Sequence, residues 1–269
     1  MKKILFLLLG ITLLSLSSCF KLDNWDAPDC TFHGTVYDAY TREPILASQN
    51  DWQIWIWERS WTGHEDGATR QRELRIKQDG TYQNTKLFAG TYDMLLYNGP
   101  YWPEDTLKNV VLAKTTQQDF TVTPYLQIVD FDYRTAWNAS KECYRMLIMF
   151  KVKVPRDEQG NVVLSKNGKA LPQLRDVRAF LSLTTFCGAG DNSYINFGEY
   201  TADMRINNGK SWDDLLAEGN GTDTTGQFII NCNVKPNYTY YLRVGACVQD
   251  AYNKYNYSPI VKVEVPPAQ

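Results

Sequence analysis

Histidine is almost absent from these 269 residues: His33 and His64 are the only two. A Ser-His-Asp or Cys-His nucleophile needs an imidazole as its base, and zinc sites draw on His and Cys, so two positions bound both chemistries. His33 falls in a strand-like run and His64 in the loop Thr62-Gly63-His64-Glu65-Asp66-Gly67, neither in a metal-ligand or nucleophile spacing. No CxxC pair is present, and neither a metal nor another cofactor is expected. The chain also lacks a basic stripe interleaved with aromatics: 28 Lys and Arg stand against 30 Asp and Glu, which speaks against nucleic acid as a partner. No apolar run reaches the roughly 20 residues of a membrane-spanning helix. Glycoside hydrolysis needs only two facing carboxylates, so scarcity of histidine leaves it open. Small β-sandwiches offer no deep cleft by default, and the reading is non-catalytic.

What is present begins at the amino terminus. Met1-Lys2-Lys3 precedes an apolar run from Ile4 to Leu16, followed by the small residues of Leu16-Ser17-Ser18-Cys19. This is a charged region, a short hydrophobic region and a cleavage site, the layout of an export signal over residues 1–18. The last four residues resemble the bacterial lipobox, which implies that Cys19 carries a lipid and becomes the first residue of the mature protein. Two or more acyl chains hold a protein stably at a membrane, so a lipid tether is expected. The acidic residues soon after Cys19 resemble the surface-export signals of some Gram-negative lipoproteins, which implies an outer-membrane, lipid-anchored and cell-surface-exposed location. Residues 19–29, with Asp23, Asp26 and Asp29 and no periodicity, read as a flexible tether. Beyond Cys19 there are Cys30, Cys143, Cys187, Cys232 and Cys247, an odd number for which no pairing is assigned.

The rest is short strand-like runs separated by turn signals, so the fold class is all-β, with two consecutive antiparallel sandwiches at 30–124 and 125–269. Strands are expected near Thr31–Asp38, Gln53–Glu58, Glu73–Lys77, Thr91–Tyr97, Val110–Ala113 and Asp119–Val122. A second, longer set is expected at Cys143–Val154, Asp176–Thr185, Gly226–Val234, Thr239–Val248 and Ser258–Val265. Asp79-Gly80, Ala89-Gly90 and Asn98-Gly99-Pro100 supply turns, and Ser211 reads as the N-cap of one helix over Trp212–Ala217. Tyr240 sits where fibronectin type III domains carry their tyrosine corner, and alternation points Leu242, Val244 and Ala246 inward with it while Arg243 faces out.

Phe32-His33-Gly34-Thr35-Val36-Tyr37-Asp38, Asp79-Gly80-Thr81-Tyr82 and Phe88-Ala89-Gly90-Thr91-Tyr92 resemble the opening strand and later turns of transthyretin-like or carboxypeptidase-regulatory-like sandwiches. Together with Val122-Thr123-Pro124-Tyr125 and Tyr241-Leu242-Arg243-Val244-Gly245-Ala246, they make the chain resemble the lipoproteins of domain-of-unknown-function family 3823. The resemblance implies a role beside SusC/SusD-like glycan importers, with polysaccharide or oligosaccharide as partner. It assigns no catalytic or binding residues.

Thirteen per cent aromatic content, with eight Trp and seventeen Tyr, exceeds what a core ordinarily uses. Sugar rings present C–H faces that stack on indoles and phenols. In Asp51-Trp52-Gln53-Ile54-Trp55-Ile56-Trp57-Glu58-Arg59-Ser60-Trp61, a strand would put Trp52, Ile54 and Ile56 on one face and Trp55 and Trp57 on the other. Trp55 and Trp57 are the expected stacking pair, extended by Trp61 and by Tyr101 and Trp102 of the loop Asn98–Asp105. The other reading of the same aromatics is a protein–protein interface of a structural or assembly subunit.

Overall fold

In a computed structural model, the chain is described over residues 27–60, 71–190, 194–195 and 204–269. Residues 1–18, Cys19, most of the tether, Trp61 and His64 lie outside the described residues.

The N-terminal half builds two facing sheets. In the first, β1 (Cys30–Asp38) pairs antiparallel with β4 (Thr81–Leu87), and parallel with β7 (Thr115–Gln117) and β8 (Phe120–Val122). In the second, the order is β3 (Arg72–Arg75), β2 (Gln53–Glu58), β5 (Gly90–Tyr97), β6 (Leu107–Leu112), all antiparallel. Strict alternation along β1 buries Phe32 and Val36, and along β2 and β5 it buries Ile54, Ile56, Tyr92 and Met94. These side chains meet between the sheets with Trp52, Tyr82 and Leu112 as one core.

The C-terminal half repeats the scheme with longer strands. One sheet runs β15 (Phe228–Val234), β10 (Cys143–Lys153), β9 (Gln127–Asn138). The other runs β14 (Arg205–Asn207), β13 (Leu174–Ser182), β16 (Thr239–Val248), β17 (Tyr255–Tyr257), with β18 (Val261–Glu264) also on β16. A small hairpin, β11 (Ser165–Lys166) with β12 (Lys169–Ala170), fills the polar stretch after Pro155. Met146, Ile148, Phe150, Val177, Leu242 and Val244 form the core between the larger sheets. The expected helix is α1 (Trp212–Ala217): the Ser211 side chain accepts from the Asp214 N–H and the Asp214 carboxylate reaches back to Ser211, a reciprocal cap. The Tyr240 hydroxyl accepts the Lys235 N–H at 3.1 Å, the local closure of a tyrosine corner.

The short strands β7, β14 and β17 and two longer ones, β4 and β9, escape the sequence pattern. β4 buries only Tyr82 and Leu87 around a polar middle, so its alternation is faint. β9 packs Ile128, Phe131, Tyr133 and Trp137 against the core, but Asp130 adopts φ 53° at an irregularity opposite Met149–Lys151, which moves the inward side chains from even to odd positions. A period-2 reading breaks at that bulge.

Arg243 takes the expected outward direction but is not exposed. It points away from the C-terminal core, yet it is 1% exposed, enclosed by groups of both halves. Its Nε donates to the Ser258 carbonyl at 2.8 Å, its Nη1 to the carbonyls of Ala47 at 2.6 Å and Cys187 at 3.1 Å, and its guanidinium lies 4.2 Å from the Tyr257 ring centroid. Burial pulls its pKa down to about 10, against which neighbouring Tyr257, Cys187 and Asp51 act. Around it Phe180, Cys187, Cys247, Tyr255 and Tyr257 form a third cluster, onto which Leu46 of the other half packs. Asn256 Nδ2 donates to the Pro100 carbonyl at 2.9 Å, and Lys254 pairs with Asp51 at 3.2 Å, adding further ties between the halves. Cys30, Cys143, Cys187, Cys232 and Cys247 are all buried and unbridged; desolvation raises the pKa of Cys187, Cys232 and Cys247 to about 12.

Candidate functional site

The aromatic surplus divides sharply. Tyr101 and Trp102, expected on a displayed loop, are each 3% exposed. Their segment is a strap laid between the halves, hydrogen-bonded on its backbone: Trp102 N–H donates to the Thr123 carbonyl at 2.9 Å and Tyr125 N–H to the Pro100 carbonyl at 3.0 Å. Tyr101 meets Trp52 edge-on at 5.2 Å in the N-terminal core, while Trp102 packs on Tyr125 at 5.4 Å in the C-terminal one. Burial holds the Tyr101 phenol well above its ordinary pKa. Neither ring can reach a polysaccharide on the surface.

Trp55 and Trp57 stand as expected on the face of β2 opposite Ile54 and Ile56, both half-buried. The register sets Gln53 against Tyr97 and Trp55 against Leu95, so Trp55 and Tyr97 are diagonal neighbours on the same face. Their rings stack at 3.4 Å between centroids and 21° between planes. Trp57 meets Trp55 at 6.1 Å and 88°. On the other side, Tyr252 of the C-terminal half approaches Tyr97 at 5.3 Å and 65° and is hydrogen-bonded to it, which raises the Tyr252 pKa. The result is a continuous row, Trp57–Trp55–Tyr97–Tyr252. Sequence reasoning joins neither Tyr97 nor Tyr252 to the tryptophans; the register of β5 against β2 is the signal for Tyr97, and the approach of Tyr252 is set by tertiary structure.

Charged groups frame the row in compensated pairs. Arg59 Nε lies 2.9 Å from Asp93 Oδ2, and Arg75 Nη2 lies 3.3 Å from Glu73 Oε2. The Lys254–Asp51 pair fixes the turn that carries Tyr252, and Asp250 Oδ1 accepts the N–H groups of Tyr252 and Asn253. The Trp55 indole N–H is buried without a hydrogen-bond partner. The ring surface left exposed by these mutual contacts suits an apolar sugar surface; among the described residues no histidine or cysteine adjoins it.

Elsewhere, a groove of about 710 Å³ runs between the halves past Asp38, Ile45, Gln127, Arg243, Asn256 and Tyr257. Its principal polar groups already have partners: Asp38 accepts from Tyr40, Thr41 and Gln127, and Asn256 is bonded to Leu126 and Pro100. His33 is half-buried in β1 between Gln83 and Gln117 of the adjacent strands. Among the described residues no three His, Cys, Asp or Glu side chains converge as metal ligands.

Comparison with known proteins places this geometry. Residues 30–123 match the family described as protein of unknown function (DUF3823), N-terminal domain. No curated protein is a significant match. Among solved structures, a DUF3823 family protein from Bacteroides uniformis is 20% identical with a TM-score of 0.64, covering 89% of this chain and 100% of its own. A candidate carbohydrate-binding protein from Bacteroides uniformis is 18% identical with a TM-score of 0.63, covering 88% of this chain and 100% of its own. A DUF3823 family protein from Parabacteroides merdae gives 18% identity and a TM-score of 0.58, over 89% of this chain and 100% of its own. At these identities the likeness is one of fold, and it extends over both halves. The chain thus matches the DUF3823 N-terminal domain from Cys30 to Thr123 and shares its overall fold with DUF3823 proteins of known structure.

Proposed function

We propose that this protein is a non-catalytic outer-membrane lipoprotein, anchored through Cys19, that holds polysaccharide on the row led by Trp55 and Trp57 and assists a SusC/SusD-like importer. The single observation that carries the reading is the row itself: half-buried indoles and phenols in mutual contact on one sheet face, bordered by polar pairs. Isolated surface aromatics need no explanation, but a contiguous set rimmed by polar residues marks a binding face. The likeness of fold to a candidate carbohydrate-binding protein supports the same direction.

The test is affinity electrophoresis through gels containing polysaccharides. The chain is expected to be retarded by at least one of them, and Trp55→Ala/Trp57→Ala to migrate freely with an unchanged circular dichroism spectrum. Equal retardation of the folded double variant would remove the site assignment. A stable complex with an importer subunit, formed without any glycan affinity, would favour the assembly-subunit reading instead. For the anchor, labelled palmitate is expected to enter the full chain and not Cys19→Ala, and surface proteolysis of whole cells is expected to cleave it.

A further inference from the structure

Resting on the glycan reading above, we infer that the row takes an internal stretch of an uncharged polysaccharide chain, with Tyr252 of the C-terminal half as a residue that sets the length it recognises. Two observations carry this. The first is shape. Four rings follow one another at 6.1, 3.4 and 5.3 Å, from β2 through β5 to the turn Asp250–Asn253. None of the four lines the groove between the halves or the one beside Arg75 and Phe186. Among the described residues the rings follow one another in a line and do not close around a pocket that would enclose a chain terminus or a single sugar. Small ligands are held chiefly by concave sites that bury most of their surface. Successive sugars of a chain instead gain one stacking contact after another along a row, and each contact is weak alone.

The second observation is charge. Polymers of uronic acids or sulfated sugars are drawn to clustered, uncompensated cations, which focus the field and form charge-assisted hydrogen bonds. Here Arg59 is matched by Asp93, Arg75 by Glu73 and Lys254 by Asp51. Asp250 lies in the very turn that presents Tyr252 and holds it through backbone N–H groups, so a polyanion laid along the row would meet a fixed carboxylate at that end. Among the described residues the cations beside the row are matched by carboxylates, and the contacts the row offers are those an uncharged chain satisfies.

The experiment uses the purified chain with a panel of uncharged polymers (xyloglucan, galactomannan, mixed-linkage β-glucan, α-glucan) and acidic ones (polygalacturonate, chondroitin sulfate). Retention by an uncharged polymer is expected, undiminished by about 0.5 M NaCl, where exposed charges are screened within a few ångströms. Calorimetry with fragments of the retained polymer should show affinity rising about tenfold or more from disaccharide to hexasaccharide, which is about 1.4 kcal/mol. Tyr252→Ala should weaken hexasaccharide about fivefold and leave disaccharide unaffected, a shift of about 1 kcal/mol. Tyr252 is 42% exposed, so the variant is expected to fold, and Tyr252→Phe should retain most of the affinity. Retention by acidic polymers alone, abolished by salt, would overturn the inference while leaving glycan binding standing. So would a monosaccharide bound as tightly as the hexasaccharide, or a Tyr252→Ala variant indistinguishable at every length. Failure to retain any polymer of the panel would bring down the glycan reading itself.

Discussion

Two tryptophan-bearing regions of the N-terminal half have the same chemistry and opposite fates. Trp55 and Trp57 on β2 keep part of their rings at the surface, whereas Tyr101 and Trp102, only one strand further along the sheet, are enclosed. The difference lies in the backbone. β2 is a central strand whose hydrogen bonds are made within the sheet by β3 and β5, so its outer side chains are left to whatever approaches from solvent. The strap Asn98–Asp105 satisfies its backbone by pairing with Thr123–Tyr125, and that pairing draws its side chains down between two cores. A large ring beside a Gly-Pro turn is thus no guide to display until the backbone partners of the turn are known.

The sharpest way to break this contrast is to delete one ring from each region. Trp102→Ala removes a side chain enclosed by the C-terminal core and should cost about 3–5 kcal/mol in urea unfolding, with polysaccharide retention unchanged while the protein stays folded. Trp57→Ala should do the reverse: lost retention with a stability change below about 1 kcal/mol. If both variants lose stability alike, the sheet face is a packed surface and not a binding one.

Arg243 tests the junction on which Tyr252 depends. Arg243→Met keeps most of the volume but leaves the carbonyls of Ala47, Cys187 and Ser258 without their donor, and should destabilise by about 2–3 kcal/mol in the same assay. Retention of a long glycan should fall more than that of a short one, because only the long chain reaches Tyr252.

Smaller effects follow from ionisation. Tyr125, packed on Trp102, has its pKa raised to about 12 by burial, with Asp250 and Tyr252 adding to it. A folded pKa above the unfolded value near 10 means stability that is complete below about pH 10 and lost as pH rises toward about 12. Cys187, Cys232 and Cys247, raised to about 12 by desolvation, act in the same sense from about pH 9 upward. Unfolding midpoints should therefore fall on the alkaline side, less steeply in Tyr125→Phe, and thiol reagents at neutral pH should reach the five core cysteines only after denaturation. Smallest of all, Arg75→Gln, which breaks an exposed pair with Glu73, should change stability by less than about 1 kcal/mol.

Much of the fold was legible in the residues. Alternation along β1, β2, β5, β10 and β16 is strict enough to be read directly, and Ser211 with Asp214 marks the helix start. β9 was not legible, because a bulge at Asp130 exchanges its inward and outward positions, and β4 was not, because its middle is polar. Of the candidate site, the shared face of Trp55 and Trp57 could be read and the burial of Tyr101 and Trp102 could not; Trp61 lies outside the described residues.

By itself, then, the sequence determined which side chains share a face, since the strand period of two is a local property of the backbone. It determined that Trp55 and Trp57 oppose Ile54 and Ile56, and that Arg243 turns away from Leu242 and Val244. Tertiary structure alone decided what covers each outward face. For Arg243 it is the Ala47 carbonyl of the N-terminal half together with Cys187, Tyr257 and Ser258 from distant parts of its own half, and for Trp55 it is Tyr97, with Tyr252 completing the row from more than 150 residues away. Those contacts depend on how two separately formed cores come together, and no local period records that.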